Sequence, residues 1–318
     1  MDLIQRMEQF CGYIGFLGLP NAGKSTLLNA LLGQKLAVVS RKPQTTRNRI
    51  LGVHTEGAHQ ILFLDTPGVH RAKGANVLNA AMNKTALAVA TEADELLYLV
   101  DVHKGLTDGD MKILGRIAAS SQAPITVVLS KIDSVKSDQV KSALKQVSHR
   151  LAELADEDPI AARLKQRVPL TISAKSKSSI EDLLAWLKPS IPAGPWLFDE
   201  DDLTDVSENF VVAELIREQL FRCLGQELPY GCAVKVMAME RKPNITVVNA
   251  SLVLSRSHHK SLVLGKQGKK IKEIGQKARG SLEEHFQTKV YLDLHVTTES
   301  GWVDRPDLVA DLGNLELV

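Results

Sequence analysis

Gly18-Leu19-Pro20-Asn21-Ala22-Gly23-Lys24-Ser25 follows the short apolar run Gly12–Leu17 and leads into Lys24–Leu32. In that second stretch Leu27, Leu28, Leu31 and Leu32 share one helical face, and Gly33 is placed to stop it. The octet fits G-x-x-x-x-G-K-S/T in the strand–turn–helix setting the motif requires. Its glycines let successive backbone N–H groups turn toward one point, and the helix N-terminus adds a positive dipole. Lys24 supplies a point charge for β- and γ-phosphates, and Ser25 offers a hydroxyl to Mg²⁺. Gly18 through Thr26 is therefore assigned to phosphate binding. A glycine turn that binds nothing would not need strand, lysine, serine and helix in this register.

Outward from the octet, Arg49–Thr55 and His59–Asp65 read as two strands joined by the turn Glu56-Gly57-Ala58. Strands Leu96–Asp101, Ile125–Ser130 and Leu170–Ser173 then alternate with helices Gly109–Ala119, Gln139–Leu154 and Ile180–Leu187. Such alternation predicts an α/β domain with a mostly parallel sheet covered on both faces. Pro189, Pro192, Gly194 and Pro195 break the periodicity, and Asp199-Glu200-Asp201-Asp202 is acidic, so 189–206 reads as a linker. Beyond it come helix Glu208–Leu224, strands Cys232–Met239 and Thr246–Leu254, helical Lys260–Leu264, helix Lys269–Phe286 and strand Lys289–Val296. That order predicts a small α+β domain. The expected organisation is 1–188, linker 189–206, and 207–318 with a C-terminal tail.

The composition agrees. A length of 318 residues favours two domains, and 44% hydrophobic content is enough for two cores. Thirty-nine Lys and Arg against 37 Asp and Glu leave +2, so a nucleic-acid surface must be a local patch. No apolar run is long enough to span a bilayer, and Met1–Phe10, with Asp2, Arg6 and Glu8, lacks a signal-type apolar region. Cys11, Cys223 and Cys232 fit neither a disulfide framework nor a zinc site. A soluble protein of the reducing cytoplasm is expected.

Asp65-Thr66-Pro67-Gly68 ends the strand His59–Asp65. A strand-end carboxylate on the edge of the phosphate loop is placed to hold the Mg²⁺ hydration shell. Gly68 can bring its N–H to a γ-phosphate unobstructed. Ser130-Lys131-Ile132-Asp133 follows another strand. Asp133 can accept from N1–H and N2–H₂ of guanine, whereas adenine offers an acceptor at N1 and no N2 amine. Lys131 can lay its stem along the base, and Ser173-Ala174-Lys175 can close its other side. Each short match is weak alone; their order at successive strand ends makes them specific.

With these motifs and Pro43-Gln44-Thr45-Thr46-Arg47-Asn48-Arg49, the chain resembles the Era family of ribosome-assembly GTPases. The resemblance implies a P-loop NTPase of the Ras-like G-domain type with GTP/GDP and Mg²⁺ as cofactors. It also implies that Val69 completes the nucleotide-contacting set. Arg41–Arg49 corresponds to switch I, with Thr46 rather than Thr45 meeting Mg²⁺, and Val69–Asn76, with His70, Arg71 and Lys73, to switch II. Lys24, Asn21, Thr46 and Gly68 are the expected catalytic residues. Ras-like enzymes orient the attacking water with a Gln near the place held here by Val69. Hydrolysis is therefore expected to be slow or assisted, and the resemblance implies that Asn21 holds K⁺ in place of an arginine finger. His70 reads as a solvated loop histidine. Where the family usually carries Asn to link base loop and phosphate loop, this chain has Ser130, and the shorter hydroxyl predicts weaker nucleotide affinity.

Gly265-Lys266-Gln267-Gly268 lies between apolar helical segments, with Lys269, Lys270, Lys272, Lys277 and Arg279 against only Glu273. A G-x-x-G turn lets backbone approach a sugar-phosphate chain. Alone it is weak, and the lysines would read as a solvated face. The full order of helix, two strands, helix, GxxG, helix and strand resembles a KH domain of the bacterial type II. Gly265, Lys266, Gln267, Gly268, Lys269, Lys270 and Lys272 are the expected RNA contacts. Phe286, Tyr291 and Trp302 read as core, and His258-His259 as a polar loop.

The resemblance implies a switch acting on the 3′ region of 16S ribosomal RNA in 30S assembly. It further implies a monomer, cytoplasmic, with peripheral contact at the inner membrane face. Two other readings stand beside it. One is a KH-type RNA-binding module with a hydrolytically impaired G domain, motivated by Ser130 and Val69. The other is a P-loop small-molecule kinase, which Asp133 argues against.

Overall fold

Near-continuous apolar runs such as Leu96–Val100 can be satisfied only between two layers, and that is where they lie. In the computed structural model the strands β1 (Phe10–Leu17), β2 (Ile50–Glu56), β3 (His59–Asp65), β4 (Glu95–Asp101), β5 (Ile125–Ser130) and β6 (Leu170–Thr171) form one sheet in the order β2-β3-β1-β4-β5-β6. β2 and β3 are antiparallel and the other pairs parallel. Ile14, Phe16, Leu96, Leu97, Tyr98, Val128 and Leu129 are fully or almost fully buried, as parallel strands covered on both faces must be. The structure describes residues 8–40, 42, 45–68, 77–153, 164, 167–225 and 228–313.

These residues divide into two compact units, the first taking 8–34, 49–68 and 83–205, the second 35–48, 77–82 and 206–313. In the first unit lie α1 (Lys24–Leu32), α3 (Asp108–Ser120), α4 (Ser137–Ala152) and α5 (Lys177–Leu187), while the division falls within α2 (Val77–Glu92). α2 is not among the helices expected from the sequence. Its run of alanines has high helix propensity but little contrast between faces. Register pairs Phe16 with Asp65 and Asp101 with Ser130, so Gly18, Asp65, Asp101 and Ser130 gather at one edge of the sheet. This carboxyl edge is where open α/β sheets bind ligands.

The stretch expected to be a linker over 189–206 is instead, through residue 205, part of the first unit. Its prolines deny it ladders of its own, so its backbone groups pair with neighbours. Val53 donates to the Leu203 carbonyl at 2.9 Å, and Cys11 to that of Pro192 at 3.1 Å. Fully buried Gln60 accepts from Leu197 and Phe198 N–H at 2.8 and 3.0 Å and donates back to the Phe198 carbonyl.

In the second unit, β7 (Cys232–Lys242), β8 (Ile245–Leu254) and β9 (Lys289–Thr298) are ordered β7-β8-β9, antiparallel then parallel. Against them pack α6 (Glu208–Cys223), α7 (His259–Leu264) and α8 (Lys269–Phe286), and α9 (Pro306–Gly313) follows. Ser207 caps α6 by accepting from Phe210 N–H. Trp302 is fully buried with Ala233, Val253, Val309, Leu312, Leu78 and Met82, and its Nε1–H reaches the Gly231 carbonyl at 3.1 Å. Tyr291, expected in the core, is 57% exposed, because strand alternation turns Val290 inward and Tyr291 outward. Phe286 is half-buried.

Candidate functional site

Gly18, at φ 139°, could not carry a side chain: a Cβ would stand 2.4 Å from the Leu99 carbonyl oxygen. Asn21 is left-handed at φ 66°, a conformation asparagine tolerates. Gly23 precedes α1, whose first turn has no side-chain cap, so its N–H groups face the loop. Lys24 is buried, and its ammonium donates to the carbonyls of Gly18 and Leu19 at 3.1 and 3.2 Å. Burial lowers its pKa to about 8, against the pull of Asp65. Thr26 continues α1, half-buried.

Asp65 is fully buried at the end of β3, and Ser25 Oγ donates to its Oδ2 at 2.6 Å. Its Oδ1 meets no donor among the described residues. Burial raises its pKa to about 6, with Lys24 and Ser25 opposing. A hydroxyl beside an orphaned carboxylate oxygen is the donor chemistry of a hard divalent cation, so Mg²⁺ fits the residues present. Thr66 Oγ1 donates to the Phe16 carbonyl at 2.7 Å, which locks the turn. Through buried Pro67, Gly68 comes so close to the phosphate loop that a Cβ there would lie 2.7 Å from Pro20 backbone atoms.

The loop that follows β5 is tied to the phosphate loop directly. Ser130 Oγ donates to the Ala22 carbonyl at 2.6 Å and lies 3.1 Å from that of Val100. The link expected to suffer from a short hydroxyl is thus present, because β5 ends close enough for serine to span it. Asp133 accepts from Ser173 Oγ at 2.9 Å and pairs with Lys175 Nζ at 2.9 Å. The Lys175 hydrogen bond lowers its pKa, keeping the carboxylate charged. Ala174 sits half-buried between them. Lys131, left-handed at φ 60°, joins Asn21 and Asp101, a partner the sequence reading did not assign.

Thr46 falls in the second unit. Thr45, Thr46, Arg47 and Asn48 are all buried. Arg47 donates to the carbonyls of Cys232 at 2.9 Å, Tyr230 at 2.9 Å and Pro229 at 3.3 Å. Arg217 donates to the Thr45 carbonyl at 2.5 Å, Lys35 pairs with buried Glu218 at 2.6 Å, and Lys42 donates to the Leu224 carbonyl. These contacts explain why α6 is buried all round from Val211 to Phe221. Nothing in the local sequence marks Arg47 as different from a loop arginine. Val69, His70, Arg71 and Lys73 lie outside the described residues.

Gly265, Gln267 and Gly268 all have positive φ, which folds the turn between α7 and α8 sharply. Lys266, Lys269 and Lys272 are exposed beside it. Lys270 instead pairs with Glu273 at 2.9 Å, as Lys277 does at 2.7 Å.

A P-loop strand–loop–helix followed by a KH fold defines a GTPase with an RNA-binding module. A family model for 50S ribosome-binding GTPases matches residues 13–131 and one for KH domains residues 227–303. The chain is 41% identical to GTPase Era of Trichlorobacter lovleyi over 303 residues, 95% of this chain and 97% of that protein. It is 38% identical to GTPase Era of Pseudomonas aeruginosa (strain LESB58) over 307 residues, 95% and 94% of the two. The crystal structure of Era in complex with MgGDPNP and nucleotides 1506–1542 of 16S ribosomal RNA superposes with a TM-score of 0.86 at 32% identity, covering 97% of this chain and all of that one. A variant of Aquifex aeolicus Era bound to GDP·AlF4⁻ gives the same TM-score, 0.86. The chain belongs to the GTPase Era family. No helix among the described residues is long and apolar enough to cross a membrane.

Proposed function

We propose that this GTPase couples its nucleotide state to its grip on the unpaired 3′ region of 16S ribosomal RNA during 30S subunit assembly. The observation that carries the coupling is Arg47: switch I by family correspondence, it is buried in the same compact unit as the KH fold. Thr46 and Arg47 are chain neighbours. Engagement of Thr46 by the nucleotide would therefore act on the contacts Arg47 makes with Pro229, Tyr230 and Cys232. A segment with two alternative sets of partners is the two-state element such switches use.

At the nucleotide, the backbone N–H groups between Gly18 and Ser25 (Pro20 has none) and the Lys24 ammonium bind the phosphates, and Gly68 approaches the γ-phosphate. Asp133 selects guanine, while Ser173 and Lys175 hold its carboxylate in place. Ser25, Asp65 and Thr46 would hold Mg²⁺, which when bound neutralises charge on the β- and γ-phosphates. Asn21 is proposed to hold K⁺ and so raise turnover. At the turn, Gly265, Gln267 and Gly268 let RNA backbone approach, and Lys266, Lys269, Lys270 and Lys272 attract it, with Lys270 shared with Glu273. We place the protein in the cytoplasm as a monomer, with peripheral contact at the inner membrane face. The impaired-hydrolysis alternative loses one of its two motives, since Ser130 keeps its bridge.

The test is the affinity for a single-stranded 16S 3′ fragment with GDP and with GDPNP bound. The wild type should differ at least about fivefold between the two states, and Arg47→Ala should abolish most of that difference. Equal affinities in the wild type would overturn the coupling. For K⁺, GTPase rates in K⁺ and Na⁺ are compared for wild type and Asn21→Ala, and four equal rates would remove the ion from the reading.

A further inference from the structure

Asp101 stands at the end of β4, in register with Ser130 at the end of β5. No motif includes it. Its Oδ2 lies 2.7 Å from the Lys131 ammonium, and its Oδ1 accepts from the His103 N–H at 3.0 Å. Its own carbonyl accepts from Lys104 and Gly105 N–H at 2.9 and 3.1 Å, so the carboxylate is fixed by a closed turn. The side chain is 11% exposed. Burial works against its charge, but the hydrogen bonds from Lys131 and His103 N–H outweigh that and hold the carboxyl below its ordinary value.

The same Lys131 ammonium donates to the Asn21 carbonyl at 2.5 Å. Its Cε lies 3.8 Å from where a Cβ on Gly23 would stand, so the stem passes beside the phosphate loop. Pinned at both ends, a flexible four-carbon side chain becomes a fixed apolar edge, and the entropy of ordering it is lost before ligand arrives. A lysine with one fixed acceptor swings; with a carboxylate and a carbonyl at set positions it does not.

We propose that Asp101 is a positioning residue for guanine-nucleotide binding, acting through Lys131 to join the base loop to the phosphate loop. It complements the Ser130–Ala22 bridge on the other side of the same junction. The proposal rests on the guanine-nucleotide reading of the site.

The experiment measures dissociation of fluorescent GDP from wild type, Asp101→Asn, Lys131→Met and the double variant, with a thermal melt of each. Asp101→Asn keeps the acceptor for His103 N–H but removes the charge facing Lys131. It should release GDP about tenfold faster, the scale of one charge-assisted hydrogen bond, with an unchanged melting temperature. In the Lys131→Met background the same change should add less than about twofold, because its route is gone. Asp101→Glu, which restores the charge, should recover part of the loss. GDP release from Asp101→Asn at the wild-type rate, or effects that multiply in the double variant, would overturn the proposal while leaving the nucleotide reading intact. Wild-type protein that failed to retain GDP at all would overturn both.

Discussion

The guanidinium of Arg47 lies 5.6 Å from the ring centroid of Trp302, and three backbone carbonyls accept hydrogen bonds from it. Arg47 lies 255 residues before Trp302 in the chain, yet the two share one compact unit. A buried cation is held there by dipoles and a π-face, with the Glu214 carboxylate attracting it from nearby.

Removing that cation takes one donor each away from the carbonyls of Pro229, Tyr230 and Cys232. Arg47→Ala should therefore cost about 2 kcal/mol, read as a lowered urea midpoint at unchanged slope. Arg47→Lys should not restore it, since an ammonium neither forks across three acceptors nor stacks on the indole. A midpoint equal to wild type would show that water replaces the guanidinium at no loss.

Asp65 and Lys24 give the nucleotide-free protein an opposing pair of pH dependences. Burial raises Asp65 from 3.8 to about 6, so in that window the folded state binds more protons and stability falls as pH rises. Lys24 is lowered from 10.5 to about 8, so between those values the unfolded state binds more protons and stability rises with pH. Melting temperature should accordingly be lowest between about pH 6 and 8. Compared with wild type, Asp65→Asn should flatten the acid limb and Lys24→Met the alkaline one. Identical profiles for wild type and both variants would refute the assignment.

Ser130 should matter more than a serine in a turn ordinarily does. Ser130→Ala deletes the side-chain bridge from this residue to Ala22 and takes the hydroxyl donor away from the Ala22 carbonyl. GDP affinity should fall roughly tenfold, measured by titration with a fluorescent analogue, while guanine is still preferred over adenine because Asp133 is untouched.

At the other site, Gly268 has φ 72° and no close neighbour: a Cβ would meet only Ile271, at 4.0 Å. Gly268→Asp forces a side chain into the left-handed region and adds an anion where phosphates approach. Binding of single-stranded RNA should drop by at least about tenfold with GDP affinity unchanged. RNA binding that ignored the substitution would move the interface away from the turn.

The phosphate loop, the strand-end Asp65, the Ser130–Asp133 loop and the GxxG turn were legible in the linear chain as local structure. Each is a local arrangement in which a few consecutive residues dictate backbone path and chemistry together. The helices α1 and α8 and the strands β3 and β5 were legible for the same reason, their apolar spacing being strong at short range. The chain alone did not reveal who meets whom across long separations. That Arg47 would be taken up beside Trp302, that 189–205 would pair with β2 and Gln60, that Tyr291 would face solvent, and that Asp101 would hold Lys131 all depend on register and on which backbone groups were left unpaired. Those are properties of the assembled layers, because a buried carbonyl or ammonium accepts whichever partner the packing brings within 3 Å or so, and nothing in the neighbouring residues says which that will be.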